Sequence, residues 1–185
     1  MTLGDAKRKV FMLLDEYSSG GEVTEDEDIA LKMADFFDMA QKDIIQYQPI
    51  VRRASVTLDG TGRQQLPADV ARVTRIAANG VRTSRYEIVD GELLYTAGDM
   101  SDLVLDYEAE PQRITPETSD NYEFEVSENA ANCLPFFVAG QQVFADLVQD
   151  YAVYYNTYLQ MRAALPRTVS STGDGRIRQN LFRRS

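Results

Sequence analysis

Apolar residues recur at three- and four-residue steps at both ends of the chain and at two-residue steps in its middle. Leu3, Ala6, Val10, Leu13, Leu14 and Tyr17 form one stripe, and Thr2 with Asp5 three residues on is an N-cap signal, so a helix is predicted over 3–17. Ser18-Ser-Gly-Gly21 ends it. Thr24-Glu25-Asp26-Glu27 reads as a capping box with acids in the first turn, and Ile29, Met33, Phe36, Phe37, Ala40, Ile44 and Tyr47 predict a second helix over 25–48, closed by Pro49. Each helix is one-sided and needs a partner. Near the C-terminus, Gly140, Phe144, Leu147, Tyr151, Tyr154, Tyr155, Tyr158, Met161 and Leu165 continue one stripe, which predicts a single helix over 135–165, roughly 45 Å long. Pro166 stops it.

From Arg53 the period becomes two. Ala54 to Leu58 alternates, Asp59-Gly-Thr-Gly62 turns, and Arg63 to Leu66 returns as the second arm of a hairpin. Leu66-Pro-Ala-Asp-Val70 is a turn leading into the strand Arg72 to Ala77. Asn79-Gly80 and Asp90-Gly91 suit tight hairpins with positive φ angles, and Tyr86 to Val89 and Glu92 to Tyr95 flank the second of them. In the strand Leu103 to Ala109, Leu103, Leu105, Tyr107 and Ala109 face one way, and Asp106 and Glu108 the other. The fold expected is α+β but mainly α: a small bundle of two N-terminal helices and one long C-terminal helix, carrying an inserted antiparallel β meander over 53–109. A single domain is expected over 1–166, and Tyr122 to Val126 is a short strand or an extended lead.

Composition changes the picture in two ways. The formal net charge of the 185 residues is −10. The segment 167–185, with five arginines and one aspartate, contributes +4, so the remaining body carries −14. Such a body repels nucleic acid and anionic membranes, while the chain ends in a basic arm. Histidine is absent and Cys133 is the lone cysteine, which excludes disulfides, zinc clusters, cysteine–histidine dyads and serine–histidine triads. Cys133, beside Leu134 and Pro135, reads as a small core residue. No stretch has the length of a membrane span. Met1-Thr-Leu-Gly-Asp5 lacks the pattern of a secretion signal, so synthesis in a reducing cytoplasm is expected.

Candidate chemistry is sparse. Glu25 to Asp28 lacks the alternating ligands and central glycine of an EF-hand. Asp90 with Glu92, and Asp106 with Glu108, fall on one face of a strand each, the minimal requirement for a two-carboxylate hydrolase. Acids two apart on a strand are also the ordinary solvated face of an antiparallel sheet, the simpler account. Gly60-Thr-Gly62 is followed by neither lysine nor helix and is no phosphate loop. No catalytic, cofactor-binding or metal residues are assigned, and a non-enzymatic protein is expected.

Two features point to protein partners. In the arm, Ile177, Leu181 and Phe182 are interleaved with Arg176, Arg178, Arg183 and Arg184, so apolar anchors stand beside charges that bind carboxylates. Tyr151, Tyr154, Tyr155 and Tyr158 cover more of a helix circumference than one buried seam needs, which marks them as candidates for contact with another subunit.

The order of these segments resembles a known family. Two amphipathic helices, Leu66-Pro-Ala-Asp-Val70 before a strand, Tyr86-Glu-Ile-Val-Asp-Gly91, the strand ending Tyr107-Glu-Ala-Glu-Pro111, and Leu134-Pro-Phe-Phe-Val-Ala139 are similar to the head-to-tail adaptor (connector) proteins of tailed bacteriophages. The likeness covers nearly the whole chain and rests on order, since these are fold-forming residues. It implies a structural protein of the virion neck: a homo-oligomeric ring, commonly a dodecamer, that joins the portal to the tail and extends the channel through which double-stranded DNA leaves without specific binding. It implies a portal partner reached by the arm, Arg167 to Ser185, and a downstream neck or tail protein. No membrane or cofactor is implied. Rival readings are another neck or tail component, such as a stopper or tail-completion protein, and a carboxylate-based hydrolase.

Overall fold

The computed structural model describes residues 1–14, 27–59, 61–96, 102–145 and 151–166. Those within Met1–Ile50 and Glu110–Thr168 cluster as one compact unit, and those of Val51–Ala109 as another.

The first unit is helical. Its α1 (Leu3–Leu13) starts as its sequence dictates: the Thr2 hydroxyl accepts the Asp5 N–H at 3.1 Å, and the Asp5 carboxylate reaches back to the Thr2 N–H. The Thr2 hydroxyl, foremost, holds the Asp5 carboxyl below its ordinary range. The Leu3 and Gly4 N–H groups, which no helix turn can satisfy, donate to the Tyr122 and Asp120 carbonyls at 2.8 and 2.9 Å. The chain therefore turns at Asp120 and Asn121 and passes the helix start, with Glu123 bridging Thr2. The next helix, α2 (Glu27–Ile45), buries Met33, Ala34, Phe37, Ala40 and Ile44 on one stripe. The capping box proposed at Thr24 lies outside the described residues.

A short turn, α3 (Glu128–Ala131), is capped by the Ser127 hydroxyl and leads into α4 (Leu134–Ala145). Pro135 sits in the first turn of α4, where its missing N–H costs nothing. With α5 (Tyr151–Ala163), this replaces the long helix expected from periodicity. A single helix over 135–165 would hold Gly140 and Tyr155 about 22 Å apart. Instead, a Cβ on Gly140 would stand 3.3 Å from the Tyr155 backbone nitrogen, and the Phe137 ring lies 5.1 Å from that of Tyr158 and 6.3 Å from that of Tyr155. The helices lie side by side. The reason is written in α4, Leu-Pro-Phe-Phe-Val-Ala-Gly-Gln-Gln-Val-Phe-Ala: apolar on nearly every side, it needs cover on nearly every side. It packs on α1, α2 and α5, with Leu134, Val138 and Ala139 fully enclosed. Complete burial of a side chain such as Leu134 is worth about 1.5–3 kcal/mol. Cys133 is buried at the entry to α4, its thiol pushed up by desolvation, as its apolar reading required.

The second unit is built of strands. In sequence these are β1 (Ile50–Thr57), β2 (Arg63–Gln65), β3 (Val70–Ala78), β4 (Val81–Arg82), β5 (Tyr86–Val89), β6 (Glu92–Tyr95) and β7 (Asp102–Ala109). They form two antiparallel sheets, in the orders β1-β7-β3-β4 and β2-β6-β5. A mainly α bundle with one inserted meander is thereby overturned; strands and helices share the described chain in comparable measure. The expected hairpin over 54–66 is corrected too. The turn exists, closed by the Asp59 carboxylate on the Thr61 and Arg63 N–H groups, but β1 pairs with β7 and β2 with β6. The Asn79-Gly80 and Asp90-Gly91 turns are as expected, with φ of 49° and 79° and of 51° and 78°. They join β3 to β4 and β5 to β6 in two-residue hairpins. Leu103, Leu105, Tyr107 and Ala109 are buried on one face of β7, matching its alternation, and Ile76 and Leu93 are fully enclosed on β3 and β6.

Candidate functional site

Of the acid pairs singled out in the sequence, Asp106 with Glu108 resolves into ion pairs of a sheet face. Across β1 and β7, Arg53 donates to both oxygens of Asp106 at 2.6 and 3.3 Å, and Arg75 of β3 stands 3.8 Å away. One pair along, Arg72 binds Glu108 through two bonds of 3.0 and 2.6 Å. The Arg53 bond, foremost, holds the Asp106 carboxyl below its ordinary range against the opposing effect of burial. A general acid needs a raised carboxyl, and Asp106 is shifted the other way. The second pair is not a pair in function: Asp90 is the positive-φ residue of a hairpin turn, and Glu92 faces Arg63 at 3.5 Å. Among the described residues no group of three or more His, Cys, Asp or Glu is placed to hold a metal ion. No helix there is long and apolar enough to cross a membrane.

The tyrosines of α5 are divided by their surroundings. Tyr158 is fully enclosed by its own chain. Its hydroxyl donates to the Asp43 carboxylate, which also accepts from Arg162, and the Arg162 guanidinium lies 4.1 Å over the Tyr47 ring. Burial, then the bond to Asp43, pushes the Tyr158 phenol far above its ordinary value. That enclosure removes Tyr158 from the set available to a neighbouring subunit. Tyr154 is half-buried, with its hydroxyl on the Leu13 carbonyl at 2.5 Å, and Tyr155 packs half-buried between Phe137 and Gly140. The Tyr151 side chain lies outside the described residues, as do Arg176, Ile177, Arg178, Leu181, Phe182, Arg183 and Arg184 of the arm.

Sequence reasoning missed a buried polar joint. Asp38 and Gln41 on α2 are both buried. Asp38 accepts the Ile114 N–H at 3.0 Å and the Lys42 ammonium at 2.6 Å, and Gln41 donates to the Gln112 carbonyl at 2.7 Å. These bonds clamp the loop 110–119 onto α2. Polar residues on the apolar stripe between Phe37 and Ile44 were the available signal. Beside the clamp lies an open depression of about 520 Å³, lined by Gln112, Arg113, Thr115, Glu117 and other polar side chains. It encloses no convergent set of reactive groups.

The helical unit exposes several large apolar side chains and carries an acidic excess. Met12, Leu31, Met39 and Val153 are at least half exposed. Residues 1–50 and 110–166 hold seven Lys and Arg against nineteen Asp and Glu, a net charge of −12, whereas 51–109 hold seven Arg against nine acids, a net charge of −2. The acidic excess of the body therefore resides in the helical unit. Comparison with known proteins finds no matching family model and no matching curated sequence.

Proposed function

We propose that the chain is a structural subunit of the neck of a tailed bacteriophage virion, forming a homo-oligomeric ring between portal and tail and extending the DNA channel. The observation that carries this reading is the order of fold-forming segments along the chain: two amphipathic helices, the Leu66 to Val70 turn, the Tyr86 to Gly91 hairpin, the strand ending at Pro111 and the apolar helix opening at Leu134. The charge distribution supports it. A wall carrying the excess of the helical unit repels a polyanion and lets it slide past. The exposed apolar side chains Met12, Leu31, Met39 and Val153, with the uncovered flanks of Tyr154 and Tyr155, supply surface for a neighbouring subunit. The pairing of Asp106 and Glu108 with arginines favours a structural over a catalytic use of those carboxylates.

In this reading the arm 167–185 docks on the portal. Each arm is weak alone, but a ring presents many at high effective concentration. Truncation after Pro166 is expected to leave the far-ultraviolet circular dichroism nearly unchanged and to abolish co-sedimentation with portal rings. Portal binding retained by the truncated chain removes the arm from the mechanism.

A further inference from the structure

The three-stranded sheet ends on an open edge. Two-residue hairpin pairing of β5 with β6 sets Val89 opposite Glu92, Ile88 opposite Leu93, Glu87 opposite Leu94 and Tyr86 opposite Tyr95. Just beyond, the Thr96 N–H donates to the Arg85 carbonyl at 3.0 Å. Antiparallel pairs alternate between bonded and non-bonded, so the backbone groups of Glu87 and Val89 turn toward β6 and those of Tyr86 and Ile88 turn outward. Among the described residues no strand pairs along that outward side. The edge is also apolar where edges are usually guarded by charge: Ile88 is 41% and Val89 56% exposed.

Its charge is distinctive. The β2, β1 and β4 edges carry arginine, at Arg63, at Arg52 and Arg53, and at Arg82. The β5 edge carries Glu87 and, just past its end, Asp90, neither with an ion-pair partner among the described residues, while Arg85 precedes its first residue. A strand that fits must be basic and apolar at alternate positions. The segment Arg176-Ile177-Arg178, followed by Leu181 and Phe182, has that pattern.

We propose that the open edge of β5 is a docking site for the chain's own C-terminal segment, Arg176 to Phe182, which adds as a further strand to the three-stranded sheet in the free protein. Antiparallel addition with Ile177 opposite Ile88 sets Arg178 opposite Glu87 and Arg176 opposite Val89, next to Asp90. The backbone supplies the bonds and the charges select the edge and the register. The proposal concerns the free chain and holds whatever larger assembly the chain joins.

Hydrogen–deuterium exchange of the full-length protein, with no partner added, tests it. In the parent chain the Tyr86 and Ile88 amides are expected to exchange about tenfold more slowly than in Arg178→Glu or Ile177→Asp, the protection reached when the tethered effective concentration is about ten times the dissociation constant. The Leu94 amide, bonded within the hairpin, serves as the control and should not change. Combining Glu87→Arg with Arg178→Glu should restore the protection. Equal exchange at Tyr86 and Ile88 in the parent chain and both variants overturns the proposal, as does a charge swap that leaves them unprotected.

Discussion

Gly140 tests the side-by-side packing of α4 and α5, because the substitution Gly140→Leu has opposite signs in the two possible arrangements. A leucine Cβ at this position stands 3.3 Å from the Tyr155 backbone nitrogen, 3.5 Å from its Cβ and 3.6 Å from its Cα. Two of those three atoms are backbone, so no rotamer change can make room and α5 itself must move. Overpacking of this kind costs about 1–3 kcal/mol, and replacing a mid-helix glycine returns about 1 kcal/mol of propensity. The net expectation is a loss of up to about 2 kcal/mol. For a chain of this size that lowers the thermal midpoint by up to roughly 8 °C, read from the helical dichroism signal. Gly140→Ala, which needs only a few tenths of an ångström, should fall near neutrality. In a continuous helix, position 140 would be far from Tyr155 and both substitutions would raise the midpoint. A Gly140→Leu midpoint above that of the parent chain therefore refutes the packing.

Two further outcomes follow from the polar contacts. Tyr158→Phe removes the hydroxyl from Asp43 while Arg162 still binds that carboxylate, so the expected loss is about 1–2 kcal/mol near neutral pH. The folded-state phenol is raised above its unfolded value of about 10, so its contribution is complete below that pH and drains away as pH rises further. Urea titrations should show a shallower alkaline decline in the variant. Tyr107, raised by burial and then by Asp69, keeps its own share. A parallel alkaline decline in both proteins counts against the buried position of Tyr158. Asp106→Asn breaks a pair whose arginine is 67% exposed, so after solvent screening a loss of only about 0.5 kcal/mol is expected. The folded Asp106 carboxyl is lowered, so its contribution is present above pH of about 4 and is lost as pH falls through the folded value. A weaker acid dependence in the variant checks this, and a loss above 2 kcal/mol contradicts the exposed-pair assignment.

Local signals in the sequence translated well and long-range ones did not. Thr2 and Asp5 cap α1 through atoms three residues apart, and Asn79-Gly80 and Asp90-Gly91 need positive φ at two adjacent positions, so each is decided within a few residues. The alternation of Leu103 to Ala109 was legible because one face is buried and the other wet. The pairing of β1 was not: the turn at Asp59 reverses the chain, but the neighbour of β1 is β7, some fifty residues away, and nothing local encodes that choice. The long helix misled for a related reason. The stripe from Gly140 to Leu165 keeps helical spacing through residues 146–150, and no proline or glycine interrupts it. The better signal was the all-round apolar character of 134–145, which asks for more neighbours than a helix end can have. Tyrosine spacing likewise could not distinguish Tyr158, enclosed with Asp43 and Arg162, from half-buried Tyr154 and Tyr155. Their fates depend on which elements pack above them.

The central claim is that this chain builds a ring on a portal. Electron microscopy of the full-length protein mixed with assembled portal of the same phage, class-averaged down the channel axis, tests it most directly. The account predicts added density below each portal, with one copy per portal subunit or twelvefold symmetry and an open central channel. Portal particles unchanged at micromolar concentrations of the folded protein would contradict it.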